Sequence, residues 1–267
     1  MIVASWNVNG IRAREGALES WVRQSSPDVL ILQEVKASVE EIPLSIMSLD
    51  GYRSFWNDSS IRKGYSGTGI LMKETPALEG ATFEIPPFDI ENRTVVLHTG
   101  ELSIIGTYVP RGDSAQHYVL KLGYLEAMHE YVRELLACGR QILVTGDMNV
   151  AHRQVDLHRS ENRPGATGIR PEERSAIDRL IALGLSDVMR ELNPERDDLF
   201  TWWPYWRMAR ERNIGWRIDC FYLSGYRKDR ILRAAVDMPE KSSDHAPIIL
   251  EFVPESGLHE DTRSFSR

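Results

Sequence analysis

The chain has 267 residues, 42% hydrophobic, and a net charge of −7, enough apolar content for a substantial core in one large domain or two small ones. No apolar run reaches the length a bilayer requires, and two cysteines cannot build a disulfide framework, so a membrane-spanning chain and a disulfide-held secreted scaffold are excluded. The start, MIVASWNVNG, has neither the basic segment nor the apolar length of a signal peptide, and a cytoplasmic location without membrane contact is expected.

The first run, IVASWNV, reads as a strand and is followed by a helical pattern over 12–24 that ends at Ser-Ser-Pro. VLILQE, GTGILMK, RTVVLHT and LSIIGTYV are further strands. Several are near-continuous Val, Ile and Leu, as in strands covered on both faces, and the two flanking Gly100 read as antiparallel neighbours. A second helix spans 117–137, with Leu122, Leu125, Met128, Val132 and Leu135 three or four apart. QILVTGD is a strand. After it comes a polar stretch, 151–170, too long for an ordinary connection and therefore a candidate functional loop. Its His152 and His158 read as surface residues in preference to metal ligands.

A third helix, 171–183, opens with proline and two glutamates, a good helix start. Between Trp203 and Arg233, eight Arg and Lys stand against three acids and are interleaved with aromatics. That is either a nucleic-acid-binding face or a solvated basic surface over an aromatic core, and composition favours the second slightly. RIDCFYL and PIILEFV are the last strands. Cys138 follows the second helix and Cys220 lies in a strand; both are expected to be buried and inert. No linker divides residues 1–253, which read as a single domain, and 254–267 is a polar tail. Strands mixed with helices indicate two packed sheets with helices outside.

The polar residues fall at strand ends. Asn7 and Asn9 end the first strand, Glu34 the second, Tyr108 the LSIIGTYV run, and Asp147 and Asn149 the QILVTGD run. Asp219 interrupts RIDCFYL, and Asp244 and His245 precede the last strand. Each alone is explained as a cap, a turn or a surface residue; together they fall where rigid scaffolds present chemistry. If Glu34, Asp147, Asp219 and Asp244 share a pocket, two like charges ~5 Å apart repel by roughly 3 kcal/mol at an effective dielectric near 20. Several such pairs rival a domain's whole stability, so a cation has to compensate. Oxygen donors favour Mg²⁺ or Mn²⁺ over zinc. A charged His245 would donate to a phosphate oxygen, and Asp219 is a candidate to orient it.

In order along the chain, SWNVNGIRA, LQEVK, GYSGTGIL, YVP, TGDMNVAH, GWRID and SDHAP resemble the exonuclease III family of apurinic/apyrimidinic (AP) endonucleases. The resemblance covers Met1 to about Val253. It implies a four-layer α-β-β-α sandwich of two mixed sheets, and a monomeric, Mg²⁺-dependent DNA-repair enzyme, with Mn²⁺ able to substitute. Such an enzyme cleaves double-stranded DNA on the 5′ side of an abasic site and also trims 3′ ends. By the same resemblance Glu34 is the main metal ligand, with Asn9 nearby; many relatives have Asp where this chain has Asn9, which removes one charge. Asp244 is expected at the metal from the reading of the residues themselves, free to face it through water once Asp219 orients His245. Asp147 would activate the attacking water, Asn7 and Asn149 would position groups around it, and Tyr108 would hold the phosphate or assist the leaving oxygen. His245, backed by Asp219, would stabilise phosphoryl charge.

Trp202, Trp216 and Ile218 match the apolar slot for a flipped abasic sugar, and Trp206 and Arg207 the side chains that relatives press into the duplex. For Trp202 and the neighbouring Trp203, core packing is an equally good reading. Arg62, Lys63 and Arg111 are expected phosphate contacts, with solvated surface charge as the alternative. Two other functions stay open: a related phosphodiesterase of different nucleic-acid specificity, including nicking at deoxyuridine, and a DNA-binding module without catalysis.

Overall fold

The computed structural model describes residues 1–59 and 62–254; the expected tail from residue 255 onward lies outside the described residues. The strands are β1 (Ile2–Asn7), β2 (Val29–Gln33), β3 (Tyr52–Asn57), β4 (Thr68–Lys73), β5 (Thr82–Glu84), β6 (Thr94–Thr99), β7 (Leu102–Tyr108), β8 (Gln141–Asp147), β9 (Leu185–Asp187), β10 (Asp219–Ser224), β11 (Ile231–Val236) and β12 (Ile248–Phe252). They form two sheets among the described residues, ordered β11-β12-β1-β2-β4-β3 and β5-β6-β7-β8-β10-β9. The pairs β1–β2 and β7–β8 are parallel, while β1–β12 and β8–β10 are antiparallel.

The layering follows from the two-residue period of each strand. On β2, Val29 and Ile31 enter the core between the sheets, where they join Leu97 and Ile104 of the other sheet. Leu30 and Leu32 face outward, onto Leu18, Trp21 and Val22 of α1 (Glu15–Ser25). β8 repeats the scheme: Leu143 points between the sheets, while Ile142 and Val144 pack against Tyr124, Met128 and Val132 of α3 (Ala115–Ala137) and Ile177 and Leu180 of α4 (Pro171–Ala182). Two short helices, α2 (Leu44–Met47) and α5 (Val188–Leu192), complete the set. The order is helix, sheet, sheet, helix, as expected from the resemblance. Burial of each such side chain contributes about 1.5–3 kcal/mol. A side chain at Gly106 has no room against the facing sheet: a Cβ there would lie 2.3 Å from Ile31 Cγ2.

Several expectations are corrected. The first helical pattern begins as a 3₁₀ turn, Ile11–Arg14, before α1. Cys138 is exposed, because it caps the C-terminus of α3 instead of sitting on its apolar face. His152 is largely buried and bonded to Asp178 at 2.7 Å. Within the basic stretch, Arg217 is fully buried between Asp156 and Asp187 and Arg210 lies over the Trp203 ring, so the positive face is smaller than a count of charges implies. Trp203 is core; Trp202 is only partly covered. Among the described residues no helix is long and apolar enough to cross a membrane.

Candidate active site

Parallel pairing carries the C-terminal ends of β1 and β2, and of β7 and β8, to one rim. Antiparallel neighbours bring their beginnings to the same rim: Asp219, the first residue of β10, is registered opposite Asp147, the last of β8. His245 arrives just before β12, beside β1. Polar residues at the ends of some strands and the starts of others therefore meet.

Asn7 stands at the centre, fully buried. Its amide donates to Glu34 Oε1 at 2.9 Å and to Asp147 Oδ2 at 3.0 Å, joining the two sheets. Its own Oδ1 accepts from the Asn9 backbone N–H. Asp147 Oδ1 accepts from the Asn149 N–H at 2.9 Å. On the far side, His245 Nδ1 lies 2.9 Å from Asp219 Oδ2, and its Nε2 faces Asp147 Oδ2 at 3.7 Å. Asp244 lies to one side, accepting from Asn9 Nδ2 and from the Trp202 indole N–H. Lys36, which the sequence did not single out, reaches both Glu34 Oε2 and Asn9 Oδ1 at 2.6 Å. A single lysine two residues after a strand-end glutamate carries no signal of its own.

The electrostatics are those of a crowded acidic site. Burial depresses the proton affinity of His245, but Asp219 and then Asp147 outweigh it and push its pKa to about 10, so the ring is an imidazolium at neutral pH. Burial, followed by the charges of Asp219 and Glu34, raises Asp147 well above the usual carboxylate range in spite of His245. Burial also raises Glu34, but Lys36 and the Asn7 bond outweigh it and its pKa is lowered. Tyr108 is driven up by burial and by Glu34 and Asp147, so its phenol stays a donor; the Arg93 guanidinium lies 4.7 Å from its ring centroid.

The donor set fits a hard divalent cation. Ligand atoms of Glu34, Asp147 and His245 all lie within 4.8 Å of one another, and carboxylate oxygens are the donors that a hard divalent cation prefers. Asp219 Oδ1 is buried without a hydrogen-bond partner among the described residues, a further sign that negative charge here exceeds the protein's own compensation.

The cluster lies in a cleft of about 510 Å³ that is also lined by Trp202, Trp216 and Ile218, with Trp202 packed beside His245. Trp202 and Trp216 are T-shaped, with centroids 6.3 Å apart, and exchange backbone hydrogen bonds of 2.9 Å. Trp206, half exposed, and Arg111 stand at the mouth. Arg207, Arg62 and Lys63 do not line the cleft; Arg207 is exposed, Arg62 lies over the Tyr65 ring and Lys63 pairs with Glu41 at 2.9 Å. Tyr205, Glu161 and Arg163 also line it and were not expected individually, although the long polar loop that holds the last two was.

Buried carboxylates, an amide bridge and an imidazolium beside an apolar slot define a site for hydrolysis of a phosphoester. Residues 4–245 match the endonuclease/exonuclease/phosphatase family, and the chain belongs to it. It is 33% identical over 259 residues to the DNA repair nuclease APEX1 of Danio rerio, covering 94% of this chain and 81% of that one. Over 253 residues it is 31% identical to an exodeoxyribonuclease of Bacillus subtilis, covering 94% and 98%. Its fold superposes on an AP endonuclease from Archaeoglobus fulgidus with a TM-score of 0.83 at 28% identity, covering 95% of this chain and all of the other. The chain is a hydrolytic nuclease of a metal-dependent family.

Proposed function

We propose that this protein is a Mg²⁺-dependent DNA-repair AP endonuclease that hydrolyses the phosphodiester on the 5′ side of an abasic site in duplex DNA, with a 3′-end exonuclease or phosphatase activity from the same centre. The observation that carries the reading is the sharing of one cleft by the Glu34–Asn7–Asp147–His245 cluster and the Trp202–Trp216–Ile218 wall. An enzyme that cuts beside a missing base needs phosphate chemistry and a tight apolar slot within one nucleotide of each other.

Glu34, with Asn9 beside it, would hold the cation, which when bound supplies Lewis-acid polarisation of the phosphoryl oxygen and offsets the local negative charge. Asp147 takes the proton of the attacking water; Asn7 and the Asn149 N–H aim its two oxygens, and its raised proton affinity matches a base working near neutral pH. His245 donates from Nε2 to a phosphoryl oxygen while Asp219 holds Nδ1–H. Tyr108 donates its phenol to the phosphate. These are positioning and electrostatic effects, as phosphoryl transfer demands. Trp202, Trp216 and Ile218 receive the flipped sugar, Trp206 and Arg207 press against the duplex, and Arg111 meets a phosphate.

The test is a labelled duplex with one abasic analogue, alongside duplexes holding deoxyuridine or no lesion, incubated with Mg²⁺ or with chelator. Nicking of the abasic duplex in Mg²⁺ alone is expected. Asp147→Ala and His245→Ala should each lower the rate by more than about a hundredfold, about 2.7 kcal/mol of transition-state stabilisation. Full activity in either variant overturns the assigned roles, and equal nicking of the undamaged duplex overturns the substrate.

A further inference from the structure

Lys121 is a lysine in the middle of α3 with none of its surface exposed. It falls on the buried stripe of the helix with Tyr124, Leu125, Met128 and Val132, where an apolar residue is the ordinary choice, and it touches none of the carboxylates of the catalytic cluster. Its ammonium donates to three acceptors: Glu173 Oε1 at 2.6 Å, the Asn149 carbonyl at 2.8 Å and the Arg111 carbonyl at 3.3 Å. Three N–H groups meet three oxygens, so the charge is fully satisfied. Glu173 is equally committed. Its carboxylate accepts from the N–H groups of Gly168 and Arg170 at 2.7–2.9 Å and from the Thr167 hydroxyl at 3.1 Å.

Arg170 apart, the partners of this pair line the cleft. Asn149 is held at its carbonyl by Lys121 and gives its N–H to Asp147, the proposed base; its φ of 50° is left-handed, a conformation asparagine tolerates. Gly168, held by Glu173, adopts a φ of +89° and lies so close to Trp216 that a Cβ there would be 3.1 Å from the indole. Gly168 also accepts from the Ala151 N–H at 2.8 Å. Arg111, Asn149, Thr167, Gly168 and Trp216 all line the cleft. One buried ion pair under the floor thus fixes both the aim of Asp147 and the distance between the loop and the slot wall. Glu173 also closes the capping box of α4, a stabilising role of its own, but Lys121 caps nothing, and apolar residues of similar volume commonly serve a core as well as a buried ion pair or better.

Resting on the function proposed above, we infer that Lys121 and Glu173 are positioning residues. They couple the geometry of the general base to the width of the abasic slot, and so set both the turnover rate and the discrimination between an abasic site and an intact nucleotide. The pair touches neither substrate nor reacting atoms and acts through Asn149 and Gly168.

The test is the double variant Lys121→Met with Glu173→Gln, which removes both charges while the Gln carbonyl still accepts from Gly168 and Arg170. The single Lys121→Met strands a buried carboxylate and is not relied upon. Val132→Ala, on the same helix and buried against β8, serves as a destabilised control. The double variant is expected to stay folded, to lose roughly ten- to a hundredfold in kcat, the scale of small misplacements of a catalytic group, with a smaller change in KM. The ratio of abasic to undamaged-duplex nicking should fall with kcat. Val132→Ala is expected to lower the melting temperature and leave kcat and that ratio at wild-type values below it.

A folded double variant with kcat and ratio within about twofold of wild type overturns the inference while the function stands. So does a Val132→Ala control that loses kcat and ratio as fully as the double variant does. If the wild-type enzyme does not nick the abasic duplex at all, the proposed function falls, and this role within it falls too.

Discussion

Replacing Asp219 with asparagine isolates the electrostatics of His245. The substitution keeps the size of the side chain and an oxygen able to accept the Nδ1–H, now 2.9 Å from Asp219 Oδ2, and removes one charge from a fully buried contact. Two opposite charges ~4 Å apart at an effective dielectric near 20 attract by about 4 kcal/mol, equivalent to roughly a thousandfold in proton affinity. Starting from a pKa of about 10, that loss is enough to end the dominance of the imidazolium above neutral pH. The wild-type ring should be charged throughout the working range, so its protonation adds no basic limb until pH approaches 10. In Asp219→Asn the nicking rate should fall as pH rises past neutrality, by about tenfold or more at mildly alkaline pH. Single-turnover nicking across pH, with an NMR titration of the His245 ring in both proteins, measures the rate and its cause together. A variant that keeps the wild-type rate with a flat profile, or whose ring remains charged at alkaline pH, refutes the argument that Asp219 sets the charge of His245.

Asp156 gives a stability prediction of opposite sign. Burial pushes its pKa up, but Arg217 and then Arg190 outweigh that and hold it at about 2. A depressed folded value means that the stabilisation is complete above the ordinary carboxylate value of 3.8 and is lost as pH falls through about 2. It amounts to roughly 2 kcal/mol. Urea melts of Asp156→Asn should show a lower midpoint at neutral pH and a shallower loss of stability in acid than wild type; parallel acid limbs would sink the idea. Glu34→Gln should remove the thermal stabilisation conferred by Mg²⁺, about 2.7 kcal/mol at a hundred times the dissociation constant, read as a melting shift with Mg²⁺ against chelator. An undiminished shift in the variant would remove Glu34 from the metal site.

The short apolar runs inside β2 (VLIL), β7 (II) and β8 (ILV) are visible in the sequence because strands buried on both faces keep few polar positions. The missed strands are marginal ones. β3 (YRSFWN) and β11 are mostly half-exposed, and β5 and β9 have three residues each. Sheet order is a matter of non-local pairing, which a local pattern cannot carry. At the site, strand-end polar residues could be picked out individually, whereas the bridge from Asn7 to both Glu34 and Asp147 exists only once two sheets face each other. Arg217 and Lys121 were hidden for a related reason. A long cationic side chain reads as surface unless its buried counter-ions are known, and those come from Asp156, Asp187 and Glu173, distant in the chain.

The pairing of β1 with β12 has an implication for biosynthesis. Asn7 leaves the ribosome first, and the histidine that completes its surroundings is translated more than two hundred residues afterwards. Until then the opening strand has no neighbour on that flank. Assembly of the site therefore waits on the arrival of Asp244, His245 and β12 beside β1.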